Sequence, residues 1–232
     1  MIGDSTALGV IAARGGSKGL PRKNVLPLAG RPMIAWSVAA GQESRHLDRL
    51  ILSSDDREII DTARAAGCEA PFVRPRELAG DDISVVPALV HALDALGESY
   101  DFIVLLQATS PLRRGADIDA CLELAADTGA PAVIAVTRPA KSPYWMVKLD
   151  NESRMQRVVE PPAENRAHAR QLLPDVYVPN GAVYVARTGW LRETGTFVSP
   201  DTRAYVMPQE RSVDIDTRID FLLAEALLAD AS

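Results

Sequence analysis

The chain has 232 residues, 47% of them hydrophobic and 24% charged, and a net charge of -6 from 25 Lys+Arg against 31 Asp+Glu. This composition excludes disordered and collagen-like classes and suits one α/β domain with a sizeable core. The acidic balance argues against a general nucleic-acid or anionic-membrane binder, which needs broad positive potential, so any anion site must be local.

In chain order, Ala7–Ala12 is a short apolar run suited to a buried strand, and Pro32–Glu43 reads as a helix. Arg49–Ser53 is a second strand, followed by a helix over Asp56–Ala66 that Gly67 stops. Val85, Leu89, Leu93 and Leu96 recur at helical spacing, with Ser84 as the N-cap candidate. Phe102–Leu106 is apolar at every position, as expected where both faces of a sheet are covered. A helix over Ala116–Ala126 and a strand over Ala132–Thr137 complete a βαβα rhythm, which predicts a mainly parallel sheet with helices on both faces.

The rhythm breaks between Arg138 and Pro179, where proline and charge accumulate. Tyr144–Leu149 and Met155–Val159 are spaced to pair as a hairpin around Asp150-Asn151. An arm with exposed Tyr144, Trp145 and Met146 is either an oligomer contact or a lid. Gly181–Ala186 resumes the sheet, and a last helix spans Thr217–Leu228, with Phe221, Leu222, Leu223, Ala226 and Leu227 expected to cover one side. The expectation is one domain over 1–232 with an excursion at about 138–180. Cys68 and Cys121 lie in no metal-type spacing and read as reduced thiols. No secretory signal or run of about 20 apolar residues is visible, so the expected location is the cytoplasm, away from membranes.

The densest candidate site is GVIAARGGSKGLPRKN, residues 9 to 24. It leaves the first strand at its carboxyl end, where open parallel sheets bind ligands. Gly15, Gly16 and Gly19 allow close backbone approach to phosphate oxygens, and Arg14, Lys18, Arg22 and Lys23 add charge-assisted contacts. The spacing matches neither of the two common glycine-loop patterns. Near the C-terminus, SVDIDTRIDF (212 to 221) carries Asp214 and Asp216. In an extended segment these two carboxylates share a face while Ile215 turns inward. Oxygen-only ligands of this kind suit Mg²⁺ (or Mn²⁺) held together with substrate phosphates. Asp220 is expected to be solvated on the first helical turn, beside the N-cap candidate Thr217.

AARGGSKGLPRKN resembles the signature of the acylneuraminate cytidylyltransferase family, the CMP-sialic acid synthetases and their bacterial relatives for legionaminic and pseudaminic acids. Ala12 stands where that motif has proline. RPRELAGDDIS (74 to 84) and LLQATSPLR (105 to 113) resemble two further family segments, with Ala108 in place of a usual proline. A weaker likeness covers Arg170-Gln171 through Asn180-Gly181, where Leu172 replaces an aspartate. Together the matches run from residue 9 to about 221.

The resemblance implies a Rossmann-like nucleotidyltransferase fold and a CTP-dependent enzyme. Such an enzyme transfers CMP to the anomeric hydroxyl of a nonulosonic, 2-keto-3-deoxy sugar acid and releases pyrophosphate. It implies Arg14, Lys18 and Lys23 as catalytic cations, and Ala13, Gly15, Gly16, Ser17, Asn24, Arg74 and Ser84 around the nucleotide. Gln107, Thr109, Ser110, Arg170 and Gln171 would meet the sugar, with Arg113 helping to shape the floor, and Asp214 and Asp216 would hold the metal. The partners expected are CTP, the sugar acid and a second copy of the chain, with neither nucleic acid nor membrane. The alternatives are another acceptor, such as a KDO-like acid or a phosphonate, and a regulator that binds nucleotide without turnover.

Overall fold

The computed structural model describes residues 2–16, 19–160 and 173–230. Strand β1 (Ala7–Ala12) opens the chain, and a small hairpin of β2 (Pro27–Leu28) and β3 (Arg31–Pro32) leads into α1 (Met33–Glu43). Then come β4 (Arg49–Ser53), α2 (Arg57–Ala65), α3 (Val86–Leu96), β5 (Phe102–Gln107), α4 (Gly115–Thr128) and β6 (Ala132–Thr137). A second hairpin joins β7 (Val147–Leu149) to β8 (Met155–Arg157). The chain ends with β9 (Val178–Arg187), α5 (Thr188–Thr194), β10 (Arg203–Val206) and α6 (Arg218–Asp230).

Six strands form one sheet in the order β10-β6-β9-β5-β1-β4. All its neighbours are parallel except β9, which runs antiparallel between β5 and β6. The resumption of the sheet at Gly181–Ala186 is therefore a reversal, which places the start of β9 beside the carboxyl ends of β5 and β6. Thr137 at the end of β6 pairs directly with Val178 at the start of β9.

Alternate residues of the central strands feed two cores, as the period of a strand dictates. Ala7, Ile11, Val104 and Leu106 pack with Ile34 and Val38 of α1, Ile59 and Ile60 of α2, and Ile118 and Leu122 of α4. Leu8, Val10, Ile103 and Leu105 pack on the other side with Leu89 and Leu93 of α3 and Leu191 of α5. Helix α2 starts where Asp56 accepts the backbone N–H of Ile59 at 3.1 Å. Ahead of α3, the Ser84 hydroxyl accepts the Val86 N–H at 3.3 Å, although the helix cap itself is Val85.

A third, small core joins Leu28, Met33, Ile215, Phe221 and Ala224. It corrects the expected face of the last helix: Leu222 and Leu223 are half exposed, and α6 packs through Phe221 and Ala224. The helix packs on this small core through a narrow apolar stripe. The arm is laid out as a hairpin, but its apolar side chains point outward, with Leu149 65% and Met155 71% exposed. Both cysteines are buried and free. Among the described residues, no helix is long and apolar enough to cross a membrane.

Candidate functional site

The carboxyl ends of β1 and β5, the segment between α2 and α3 and the approach to α6 enclose a cavity of about 510 Å³. Eleven of the candidate site residues read from the sequence line it: Ala13, Arg14, Gly19, Lys23, Asn24, Arg74, Ser84, Gln107, Thr109, Asp214 and Asp216. Loop cations, the polar frame and the paired carboxylates thus share one space, although they are up to 203 positions apart in the chain, from Ala13 to Asp216. Leu78, Ala79, Gly80, Asp81 and Ile83 also line the cavity, and no hydrophobic periodicity marks them.

One side of the cavity is a locked frame. Arg74 is 5% exposed; its Nε donates to the Ser53 hydroxyl at 3.1 Å, and its Nη2 donates to the carbonyls of Ser53 and of Ala13. Burial pushes its pKa down; the charge of Asp55 raises it and that of Arg14 lowers it further. Asn24 is also buried, and its Nδ2 donates to the Arg14 carbonyl at 3.1 Å, leaving its Oδ1 without a partner. Both side chains thereby fix the backbone at residues 13 and 14 while fronting the cavity.

The opposite side carries the carboxylates. Ile215 is fully buried, which contributes roughly 2 kcal/mol and anchors the segment on which Asp214 and Asp216 sit. The Ile215 N–H donates to the Thr109 carbonyl at 2.9 Å, tying this segment to the end of β5. Lys23 Nζ donates to the Ile215 carbonyl at 2.8 Å and to Asp216 Oδ1 at 2.7 Å. Burial raises the pKa of Asp214, as does the charge of Asp216, while the Thr109 hydroxyl and Lys23 act in the other direction. Asp214 Oδ1 is a buried acceptor with no partner. An orphaned buried carboxylate oxygen beside a second carboxylate fits a hard divalent cation. Among the described residues no set of three or more His, Cys, Asp or Glu is arranged for a metal, so phosphate and water oxygens would complete its shell.

Two glycines hold this geometry. A Cβ on Gly19 would lie 2.4 Å from the Asp216 carbonyl oxygen, so only glycine lets the loop approach the aspartate segment. Gly181 has φ +77°, and a Cβ there would sit 2.7 Å from Gln107 Oε1 and 3.3 Å from Asp214 Oδ2. Asn180 braces that turn, with Nδ2 donating to the Ser212 hydroxyl at 2.9 Å and Oδ1 accepting the Ala182 N–H at 3.1 Å.

Other predicted residues stand elsewhere. Gly15 and Gly16 do not line the cavity; the Gly15 N–H donates to Asp55 Oδ1 at 3.2 Å. Ser110 is buried beneath the floor, and its hydroxyl has no partner. Arg113 lies behind the floor, its Nη1 donating to the Gln107 carbonyl at 3.2 Å and the Ala182 carbonyl at 2.6 Å. Burial lowers its pKa to about 10, although the charge of Asp117 opposes that shift. Asp220 is engaged rather than solvated: its Oδ2 accepts the N–H groups of Asp216 and Thr217 and the Thr217 hydroxyl. Thr217 and Asp220 form a capping pair whose three-residue spacing was legible in the sequence. Ser17, Lys18, Arg170 and Gln171 lie outside the described residues.

Comparison with known proteins accords with this geometry. A family model described as cytidylyltransferase matches residues 8–182. The CMP-N,N'-diacetyllegionaminic acid synthase of Legionella pneumophila is 32% identical over 225 residues, covering 95% of each chain. A pseudaminic acid cytidylyltransferase of Campylobacter jejuni is 33% identical over 225 residues and 94% of each chain. An N-acylneuraminate cytidylyltransferase of Streptococcus agalactiae is 33% identical over 92% of this chain but only 51% of its own length. Among solved structures, a CMP:2-keto-3-deoxy-manno-octonic acid synthetase complexed with CTP superposes with a TM-score of 0.73 at 21% identity, over 98% of this chain and 100% of that one; this likeness shows the fold. The chain belongs to the cytidylyltransferase family.

Proposed function

We propose that this member of the cytidylyltransferase family transfers CMP from CTP to the anomeric hydroxyl of a nonulosonic acid and releases pyrophosphate. One observation carries the reading: Arg14 and Lys23, the Asn24–Arg74–Ser84 frame and the Asp214–Asp216 pair face a single cavity at the carboxyl end of the sheet. The names of the relatives, which are synthases or cytidylyltransferases for legionaminic, pseudaminic and N-acylneuraminic acids, support the substrate class.

In this reading Asn24, Arg74 and Ser84 frame the cytosine, whose edge needs donors and acceptors in fixed positions. Gln107 and Thr109 face the sugar acid, on the side of the cavity where Gly181 leaves room. The sugar hydroxyl attacks the α-phosphorus in line, and the bond to the departing pyrophosphate breaks. The chain contributes mainly position and charge to such a step. Arg14 and Lys23 offset negative charge developing on the phosphoryl oxygens and the leaving group. Asp214 and Asp216 would hold Mg²⁺, or Mn²⁺, which when bound neutralises phosphate charge and polarises the phosphoryl group.

The outward apolar side chains of the hairpin support a homodimer formed through the excursion, since a freely solvated arm does not keep Trp145, Met146, Leu149 and Met155 exposed. Soluble, highly charged substrates fit a cytoplasmic location, and the shared sheet fits one domain with one excursion. The test is pyrophosphate release with CTP, Mg²⁺ and a panel of 2-keto-3-deoxy sugar acids, with Asp216→Asn as control. Release with one or more nonulosonic acids, abolished in the control, is expected. CTP binding without release for any acid would sink the enzyme reading in favour of a nucleotide-binding regulator.

A further inference from the structure

Three cations of the loop after β1 already have anionic partners, and two of them, Arg14 and Lys23, line the cavity. Arg22 is paired with Asp56 and Glu58, Lys23 with Asp216, and Arg14 with Asp81. The first two pairs also serve the scaffold, because Asp56 caps α2 and Lys23 binds the Ile215 carbonyl. The third pair is different in kind. It reaches from the loop after β1 across the cavity to the segment between Arg74 and α3, and both Arg14 and Asp81 line the cavity wall. It is also half open to solvent, with side-chain exposures of 36% for Arg14 and 32% for Asp81.

We infer that Asp81 is an internal stand-in for nucleotide phosphate: its carboxylate holds Arg14 in the ligand-free protein, and the phosphates of the incoming nucleotide displace it. The inference rests on the cytidine-nucleotide reading of the cavity. Its physical basis is an unequal competition. A partly exposed ion pair is weak, whereas a polyanionic phosphate chain offers Arg14 several charge-assisted hydrogen bonds. A buried pair would have locked the arginine; this one keeps it placed and gives it up.

Without a counter-charge Arg14 would face other cations. Its charge already acts unfavourably on buried Arg74, and Lys23 lines the same cavity. The carboxylate relieves that repulsion and in exchange lowers the affinity of the cavity for any anion. The penalty grows with the charge of the ligand and is absent for a neutral nucleoside. Asp81 thus weakens the hold on a charged nucleotide and leaves a neutral nucleoside unaffected.

The experiment is calorimetric titration of CTP and of cytidine at low ionic strength. Asp81→Asn is expected to tighten CTP about fivefold, equivalent to ~1 kcal/mol, with cytidine affinity unchanged. Asp82→Asn, on the adjacent exposed carboxylate, should leave both ligands within about twofold. In an Arg14→Ala background the gain from Asp81→Asn should shrink below about twofold, as a double-mutant cycle requires of a direct pair. Asp81→Ser repeats the measurement if the amide variant fails to fold. Unchanged or weaker CTP binding in both Asp81 variants overturns the inference, as does a gain that persists undiminished without Arg14. A wild-type protein that binds no CTP overturns the nucleotide reading itself, and this inference with it.

Discussion

The carboxyl edge of the sheet and the excursion are built on opposite plans. At the sheet edge, functional side chains rise from backbone that is itself hydrogen-bonded: Arg74 and Asn24 bind the carbonyls of residues 13 and 14, and Lys23 binds that of Ile215. In the excursion the strands are three residues long, and every residue of β7 and β8 is exposed. A site that one copy can complete is recognisable by satisfied, buried frameworks around a few orphaned atoms. A surface awaiting a partner is recognisable by large apolar side chains with no core behind them.

The largest effect expected to sharpen this contrast is on chemistry at the sheet edge. Arg14→Ala should lower turnover by roughly 10² to 10³ while changing CTP affinity by less than about tenfold. Steady-state kinetics with direct binding measurements separates the two, and an equal loss in both would assign Arg14 to uniform binding instead. The excursion should show the reverse pattern. Leu149→Asp combined with Met155→Asp should convert a dimer to a monomer at micromolar concentration by light scattering, with CTP affinity held within about twofold. A wild-type monomer under those conditions would break the comparison and favour a lid that closes on its own chain.

The smallest effect lies away from both regions. Asp119 is buried in α4, accepts hydrogen bonds from the Ser44 hydroxyl at 2.6 Å and from Arg45, and so ties α4 to the end of α1. Burial raises its pKa, but the hydrogen bonds from Ser44 and Arg45 and the charge of His46 outweigh that and leave it lowered. A lowered carboxyl pKa means that the native state binds fewer protons than the unfolded one. The stabilisation is therefore present above the ordinary aspartate value of about 3.9 and lost as pH falls through the lowered one. Asp119→Asn should melt a few degrees below wild type at pH 7, and the gap should narrow below about pH 4. A gap that stays constant with pH would show that packing, not ionisation, sets it.

The strands whose sequence is almost wholly apolar were legible to within a residue, because burial on both faces leaves little choice of composition; β1, β5 and β6 fall where their sequence places them. Strand β10 was not, since Arg203–Val206 is an edge strand with mostly exposed side chains and no alternation to read. The reversal of β9 was hidden as well, for direction leaves no mark on an apolar run. The outer face of α6 was misassigned because Leu222 and Leu223 keep helical spacing without meeting a core. In the site, charge and glycine carried Arg14, Lys23 and the aspartate pair. Leu78, Gly80 and Ile83 fall inside the RPRELAGDDIS segment and Gly181 inside a weaker likeness, but their places in the cavity wall and beside Gln107 depend on contacts between distant segments.

The pairing of Thr137 with Val178 gives the excursion a closed neck, reinforced by the Arg138–Asp175 ion pair at 3.0 Å and by Gln209 Nε2 donating to the Arg138 carbonyl at 2.7 Å. An insertion whose two ends are already zipped together is thermodynamically cheap to lengthen, because each doubling of a flexible loop costs only about 0.6 kcal/mol. The sheet registers the neck and nothing beyond it. The arm is therefore an exchangeable cassette: its length and composition can drift, or be transplanted between relatives at residues 137 and 178, while the catalytic frame inherits no strain. The described lining of the cavity at the sheet edge lies wholly outside residues 138–180, so changes in the appendage leave it untouched.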